Sequence, residues 1–340
     1  MPINWKQINN ESSATPKDDK TNQETPEIEK VETFVPQVPT RSLDDLIVST
    51  SVRSRIETAV NRIRYHDKLY NTWNLKKIDP KGSHVAINLF GAPGTGKTFC
   101  AEAIAHHFHK KIITVNYAEI ESKYVGETPK NITAAFRKAQ ETDSVLFFDE
   151  ADSILGKRLT NVTQSADHGV NVSRAVMLLQ LDSFEGIVIF ASNLPENYDG
   201  AFVRRILAHI EFELPDLDCR LKLWKYLLPE EIPLSPDVTP QWLASESEGL
   251  AGGDILNVVK LSASQAVARN GNKCRVFQTD ILEAIAQVRN SKEKIAVNPI
   301  HQPTVIKETV IQPDELPDDV RQRYDSEVSN PSEALPNDNE

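Results

Sequence analysis

The chain has 340 residues, with 38 Lys and Arg against 49 Asp and Glu for a net charge of −11, which is enough for one large domain and a smaller one. No apolar run approaches the roughly 20 residues of a membrane helix. The start, Met1-Pro2-Ile3-Asn4-Trp5, lacks the charged and apolar regions of a secretory leader, and Cys100, Cys219 and Cys274 form no C-x-x-C pair, so a reducing compartment, the cytoplasm, is expected. Residues 1–40 carry a charge of −3, residues 291–340 carry −6, and the body between them only −2, a balance that argues against nucleic acid as a partner.

Residues 1–40 are rich in Pro, Thr, Glu, Lys and Asn, show no apolar periodicity, and read as a disordered arm. Short apolar runs predict strands at Val85–Phe90, Ile112–Asn116, Val145–Phe148, Ile187–Ala191 and His209–Leu214. They alternate with helical patterns such as Phe99–Phe108 and Asn131–Ala139, the rhythm of a parallel α/β sheet. These elements define a large subdomain over 41–215. After Pro215 helical periodicity takes over, as in Ile255–Leu261, and a small all-α subdomain is predicted over 216–290. Residues 291–340 are interrupted by six prolines from Pro299 to Pro336 and read as a disordered acidic tail. No internal repeat is evident.

Two motifs carry chemistry. Gly91-Ala92-Pro93-Gly94-Thr95-Gly96-Lys97-Thr98 fits the G-x-x-x-x-G-K-[ST] phosphate loop at every fixed position, with a strand before it and a helix after it. The glycines let backbone N–H groups curl around phosphate oxygens. Lys97 reaches the β- and γ-phosphates, and the Thr98 hydroxyl can ligate Mg²⁺. The chain is therefore expected to bind a nucleoside triphosphate. Val145-Leu146-Phe147-Phe148-Asp149-Glu150 is an apolar strand ending in two carboxylates. This strand is expected to lie beside the strand of the phosphate loop, putting Asp149 next to Thr98 to hold Mg²⁺ through water. Glu150 is then placed to orient and deprotonate an attacking water. The spelling Asp149-Glu150-Ala151-Asp152 also matches DEAD-box RNA helicases, but that family's later motifs are absent. His106, His107 and His109 fall in the last turn of the phosphate-loop helix, where positive charge complements the macrodipole, and no Cys or carboxylate set accompanies them to suggest a metal.

With both motifs in place, roughly residues 42–290 resemble the classical AAA family of ATPases, in particular its protein-remodelling group. Ala191-Ser192-Asn193 resembles sensor 1, which implies that Asn193 places the lytic water. The run Tyr198 to Arg205, followed by Leu214-Pro215-Asp216, resembles the second region of homology, which implies that Arg204 and Arg205 act as fingers in a neighbouring subunit's site. Gly252-Gly253-Asp254-Ile255 resembles the Gly-Ala-Asp-Ile turn that opens a lid helix near the adenine, with Gly253 in place of Ala. Ser42 to Ile47 resembles the leading segment that borders the adenine, so Ile47, Phe99, Gly253 and Asp254 join the phosphate loop as implied nucleotide-binding residues. Ser122-Lys123-Tyr124-Val125-Gly126-Glu127 resembles pore loop 1, which implies that Lys123, Tyr124 and Val125 grip a client polypeptide. A second pore loop would fall in 160–173, and Arg174 after it would reach nucleotide across an interface.

The resemblance implies an α/β fold: a P-loop αβα sandwich on a five-stranded parallel sheet, a small all-α lid, and disordered acidic tails. It implies ATP and Mg²⁺ as cofactors, a homo-oligomeric ring expected to be a hexamer, and threading of client proteins. The arm is open between an inert leader and a recruiting segment for clients or an adaptor, with Trp5 or Phe34-Val35 as anchors. No H-E-x-x-H zinc motif is present, and the final residues lack the hydrophobic-Tyr ending of proteasome-docking rings. The alternatives are an AAA-type motor or loader acting on nucleic acid, and a nucleotide-binding scaffold.

Overall fold

The computed structural model describes residues 34–79, 85–116, 127–156, 165–193, 198–271 and 274–296. Lys123, Tyr124 and Val125, residues 160–164, and the tails over 1–33 and 297–340 lie outside the described residues. The chain divides into two compact units, Met1–Ile285 and Ala286–Glu340. Everything described below belongs to the first, except the last part of the final helix, which continues into the second.

Five strands form one parallel sheet: β1 (Val85–Gly91), β2 (Ile112–Asn116), β3 (Val145–Asp149), β4 (Ile187–Ser192) and β5 (Ala208–Phe212). Each matches a predicted strand to within two residues at either end. Their continuous apolar runs follow from burial on both faces. On one face Phe147, Ile189 and Leu89 pack against α1 (Thr50–Arg64) and α2 (Lys97–His107). On the other, Leu146, Phe148 and Phe190 pack against α3 (Glu127–Glu141) and a long helix over Ser165–Ser183. Phe148 and Phe190 are stacked, with ring centroids 5.5 Å apart. The result is the expected three-layer αβα arrangement.

The strand order is β2-β3-β4-β1-β5. This corrects one expectation, because β3 is not beside β1: β4 lies between them, in parallel register with both. Strand runs mark elements but carry no information about which strand is inserted between which. All five strands end at the same edge, and the connections that leave the neighbouring strands β1 (to β2) and β4 (to β5) run in opposite directions, the crevice geometry in which open parallel sheets bind ligands.

The arm expected over 1–40 also ends earlier. Phe34 is buried in the core, and Gln37 exchanges both backbone hydrogen bonds with Ile112 at 2.8 and 2.9 Å, so this segment lies along the exposed edge of β2. Pro36 and Pro39 on either side lack the N–H groups a longer ladder needs.

Completing the helices in chain order, α4 is Asp152–Leu155, α5 is Ser165–Ser183, α6 is Gly200–Val203, α7 is Leu217–Leu227, α8 is Pro240–Glu246, α9 is Gly252–Asn270 and α10 is Gln278–Ala296. The described residues beyond Pro215 are thus mainly helical, and among them Leu234 and Val276 form a parallel bridge. Asp280, near the start of α10, accepts from the Phe277 N–H at 2.8 Å and from both terminal nitrogens of Arg269 on α9 at 2.7 and 2.9 Å. The Arg269 guanidinium holds the Asp280 carboxyl below its usual range. A folded pKa below the unfolded value, about 3.9, means the stabilisation is complete above that pH and is lost as pH falls through the folded value. Asp280→Asn is therefore expected to lower the unfolding midpoint at pH 7, and the gap between the thermal melts of variant and wild type should narrow progressively as pH falls below the unfolded carboxyl value of about 3.9.

Candidate active site

The phosphate loop joins β1 to α2 through three glycines with positive φ: Gly91 (+136°), Gly94 (+76°) and Gly96 (+105°). Gly91 leaves no alternative, because a Cβ there would stand 2.3 Å from the Phe212 carbonyl oxygen of β5. Gly91→Ala is expected to cost well over about 1 kcal/mol, measurable by urea denaturation. Gly94 meets the lid-like helix α9 directly. The Gly253 N–H donates to the Gly94 carbonyl at 3.0 Å, and a Cβ on Gly253 would lie 3.1 Å from the Gly94 Cα. The glycine at 253, where the resemblance has alanine, thus fits a close backbone approach between loop and helix.

Lys97 is buried, and its Nζ donates to the carbonyls of Gly91 at 2.8 Å and Ala92 at 2.9 Å. Burial lowers its pKa, while the carboxylates of Asp149 and Asp152 act in the opposite direction. The ammonium therefore sits at the loop's centre and faces the acidic end of β3. Thr98, in the first turn of α2, donates its hydroxyl to Asp149 Oδ2 at 3.2 Å, across the width of the intervening β4. One hydroxyl and one carboxylate together fit Mg²⁺, which takes few protein ligands and fills its octahedron with water and phosphate oxygens. Among the described residues no group of three or more His, Cys, Asp or Glu gathers to hold a metal.

Glu150 follows immediately and is exposed, with a φ of +53°. A left-handed non-glycine residue costs on the order of 1–3 kcal/mol and persists where its surroundings fix it. Here the Glu150 N–H donates to Asp149 Oδ1 at 3.0 Å, and the Ala151 N–H donates to the Ala191 carbonyl at 2.9 Å. This kink turns the carboxylate of Glu150 away from the line of β3. Asn193 stands at the end of β4, its backbone N–H donating to both carboxylate oxygens of Asp152 at 3.1 and 3.2 Å. Asp152, seen in the sequence only as the last letter of a coincidental spelling, thus fixes the neighbour of the acidic pair.

Arg204 and Arg205 differ. Arg204 is exposed and donates from Nε to the Gly200 carbonyl at 3.1 Å. Arg205 makes a two-pronged pair with Asp182 of α5 at 2.7 and 3.0 Å. Arg174 is buried inside its own chain, beside Gly156, which does not fit the implied reach across an interface.

Beside the loop lies a cavity of about 280 Å³, close to the lower end of the small-molecule range. Gly94, Thr95 and Gly96 of the phosphate loop line it, together with Ile47, Phe99 and Gly253, which the resemblance implied. Asp254 does not; its carboxylate accepts from the Ala251 N–H at 2.8 Å and caps α9. Sequence reasoning missed Arg41, which stacks over Phe99 at 4.8 Å and pairs with Glu102. It also missed Leu223, Tyr226 and Leu227 of α7, which close the far wall. Their helical spacing of three and four was the available signal.

A parallel sheet with a glycine loop at one strand end and an acidic pair at another defines a P-loop nucleotide-binding fold. Residues 87–214 match the model of the ATPase family associated with various cellular activities (AAA). The chain is 31% identical over 297 residues to a cell division cycle protein 48 homolog of Archaeoglobus fulgidus, covering 85% of this chain and 39% of that protein. It is 32% identical to a proteasome-activating nucleotidase of Methanopyrus kandleri, covering 63% of this chain and 49% of that protein. It is 33% identical to the katanin p60 ATPase-containing subunit A1 of Strongylocentrotus purpuratus, covering 54% and 37%. The chain spans half or less of the length of these relatives. It carries an ATPase domain of the AAA family over residues 87–214 and is similar to these members of its classical group.

Proposed function

We propose that the chain is an ATPase that works as a homo-oligomeric ring, taken to be a hexamer, and remodels client proteins by drawing them through a central pore. The observation that carries this reading is the meeting of Lys97, the Thr98–Asp149 pair and the kinked Glu150 beside a nucleoside-sized cavity. The cavity takes the adenosine, with Ile47, Phe99 and Gly253 against it. Backbone N–H groups of the loop and the Lys97 ammonium bind the phosphates. Thr98 and Asp149 would hold Mg²⁺, which neutralises charge on the phosphate oxygens. Glu150 takes the proton of the attacking water, and Asn193 orients that water.

Arg204, exposed just after α6, acts in the neighbouring subunit's site; Arg205 supports it from its pair with Asp182. Lys123, Tyr124 and Val125 are the residues proposed to grip the client, the tyrosine offering an aromatic face that requires no particular sequence. A net charge of −11 favours protein over nucleic acid as the client. Among the described residues no helix is long and apolar enough to cross a membrane, and the cytoplasm is the proposed location, with an adaptor as a further partner through the arm.

The test is ATP turnover with and without unfolded casein. Stimulation is expected for the wild type and its loss for Tyr124→Ala, with unstimulated turnover retained. Equal stimulation of both proteins would remove the threading role.

A further inference from the structure

Asn88, in the middle of β1, is fully buried where an apolar residue would pack without cost. In register it faces Phe190 of β4 on one side and His209 of β5 on the other. Its Nδ2 lies 3.4 Å from His209 Nδ1, while Asn88 Oδ1 and His209 Nε2 are both buried without a hydrogen-bond partner. Buried polar atoms without well-placed partners destabilise a fold, so this pair requires a reason.

The surroundings supply it. Residues 198–209 form an arc of chain that carries α6, Arg204 and Arg205. Tyr198 at its start and His209 at its end are stacked on each other, with ring centroids 6.2 Å apart. The arc is held internally by Asp199, which caps α6 through the Ala201 N–H at 2.8 Å, and is tied to β1 by the Leu207 N–H, which donates to the Ala86 carbonyl at 2.8 Å. The Tyr198 hydroxyl bonds the Ser192 hydroxyl, one residue before Asn193. The Val203 carbonyl lies toward the His209 ring and favours its protonated form, against the opposite and larger effect of burial. The polar pair therefore lies under the point where both ends of the arginine arc and the end of β4 come together.

We propose that Asn88 and His209 are positioning residues for the arginine-bearing arc, holding Arg204 where it reaches the neighbouring subunit's nucleotide. This rests on the ATPase reading above. The Tyr198–His209 stack closes the arc, and Asn88 fixes the imidazole in the plane that permits the stack. An apolar pair at these positions would pack at least as stably but would leave the arc free to shift.

The double variant Asn88→Leu/His209→Leu separates position from stability. Its melting temperature is expected to match or exceed the wild type, because a poorly satisfied buried polar pair is replaced by apolar side chains, and its affinity for fluorescent ADP is expected to match the wild type. Turnover at saturating ATP is expected to fall about ten- to a hundredfold, the scale of an ångström displacement of a catalytic group. Adding Glu150→Gln subunits, whose own sites are inactive but whose arginines are intact, is expected to restore part of it. His209→Phe in the Asn88→Leu background, which keeps the ring stack, should retain more turnover than the leucine pair. Unchanged turnover in the double variant, with a loss in Arg204→Ala, would overturn the proposal and leave the ATPase reading standing. A fall in ADP affinity or melting temperature parallel to turnover would equally overturn it. Unchanged turnover in Arg204→Ala would instead remove the trans-arginine reading beneath it.

Discussion

Glu150→Gln is expected to bind ATP as the wild type does and to lose about 10²–10⁴-fold in turnover. The amide has the size of the carboxylate and can occupy the same kinked backbone, where the Asp149 carboxylate accepts the N–H of residue 150. It cannot accept a proton from water. Lys97 and the Thr98–Asp149 pair remain in place, so the phosphates are still held. Phosphate release and fluorescent-nucleotide binding measure the two halves of this expectation separately, and size-exclusion chromatography in ATP should show assembled rings accumulating. Turnover within a few-fold of the wild type would move the general base to another residue.

Arg204→Ala is expected to reduce turnover by about 10³-fold or more, the range for an arginine supplied in trans to a transferring phosphoryl group. Nucleotide affinity of the variant's own site should not change, because Arg204 lies outside the cavity beside its own phosphate loop. Arg205→Ala should behave differently. It removes the two-pronged guanidinium contact from the Asp182 carboxylate, which is only 15% exposed, and is expected to cost about 1–3 kcal/mol of stability alongside any loss in rate. Two adjacent arginines that look interchangeable in the sequence would thus separate into one catalytic and one supporting residue. Equal thermal stability and equal rate loss in both variants would contradict that division.

The strands were legible because each is buried on both faces and written as an unbroken apolar run, as in Val145–Phe148. The phosphate loop was legible because its glycines answer to backbone geometry that no other residue satisfies, as at Gly91. What the sequence hid depends on tertiary placement. Nothing in β3 announces that β4 separates it from β1, and so the reach of Thr98 across β4 to Asp149 was predicted with the right partners and the wrong neighbours. Phe34 and Gln37 were assigned to a disordered arm because a single bridge between two prolines has no periodicity to detect. Asp254 looked like a ligand-binding residue because it sits in the right motif, yet its carboxylate is used by its own helix. Asn88 and Asp152 carried no signal at all, since one polar residue in an apolar strand or one acid after two others gains meaning only from what faces it.

A site completed by a neighbouring copy of the chain, as proposed, is tested most directly by ATP turnover per subunit measured against protein concentration. A rate that climbs steeply from dilute monomer to assembled ring, and that stays low at every concentration for Arg204→Ala, is the predicted result. A rate per subunit that is the same at all concentrations, down to where only monomer is present, would contradict it.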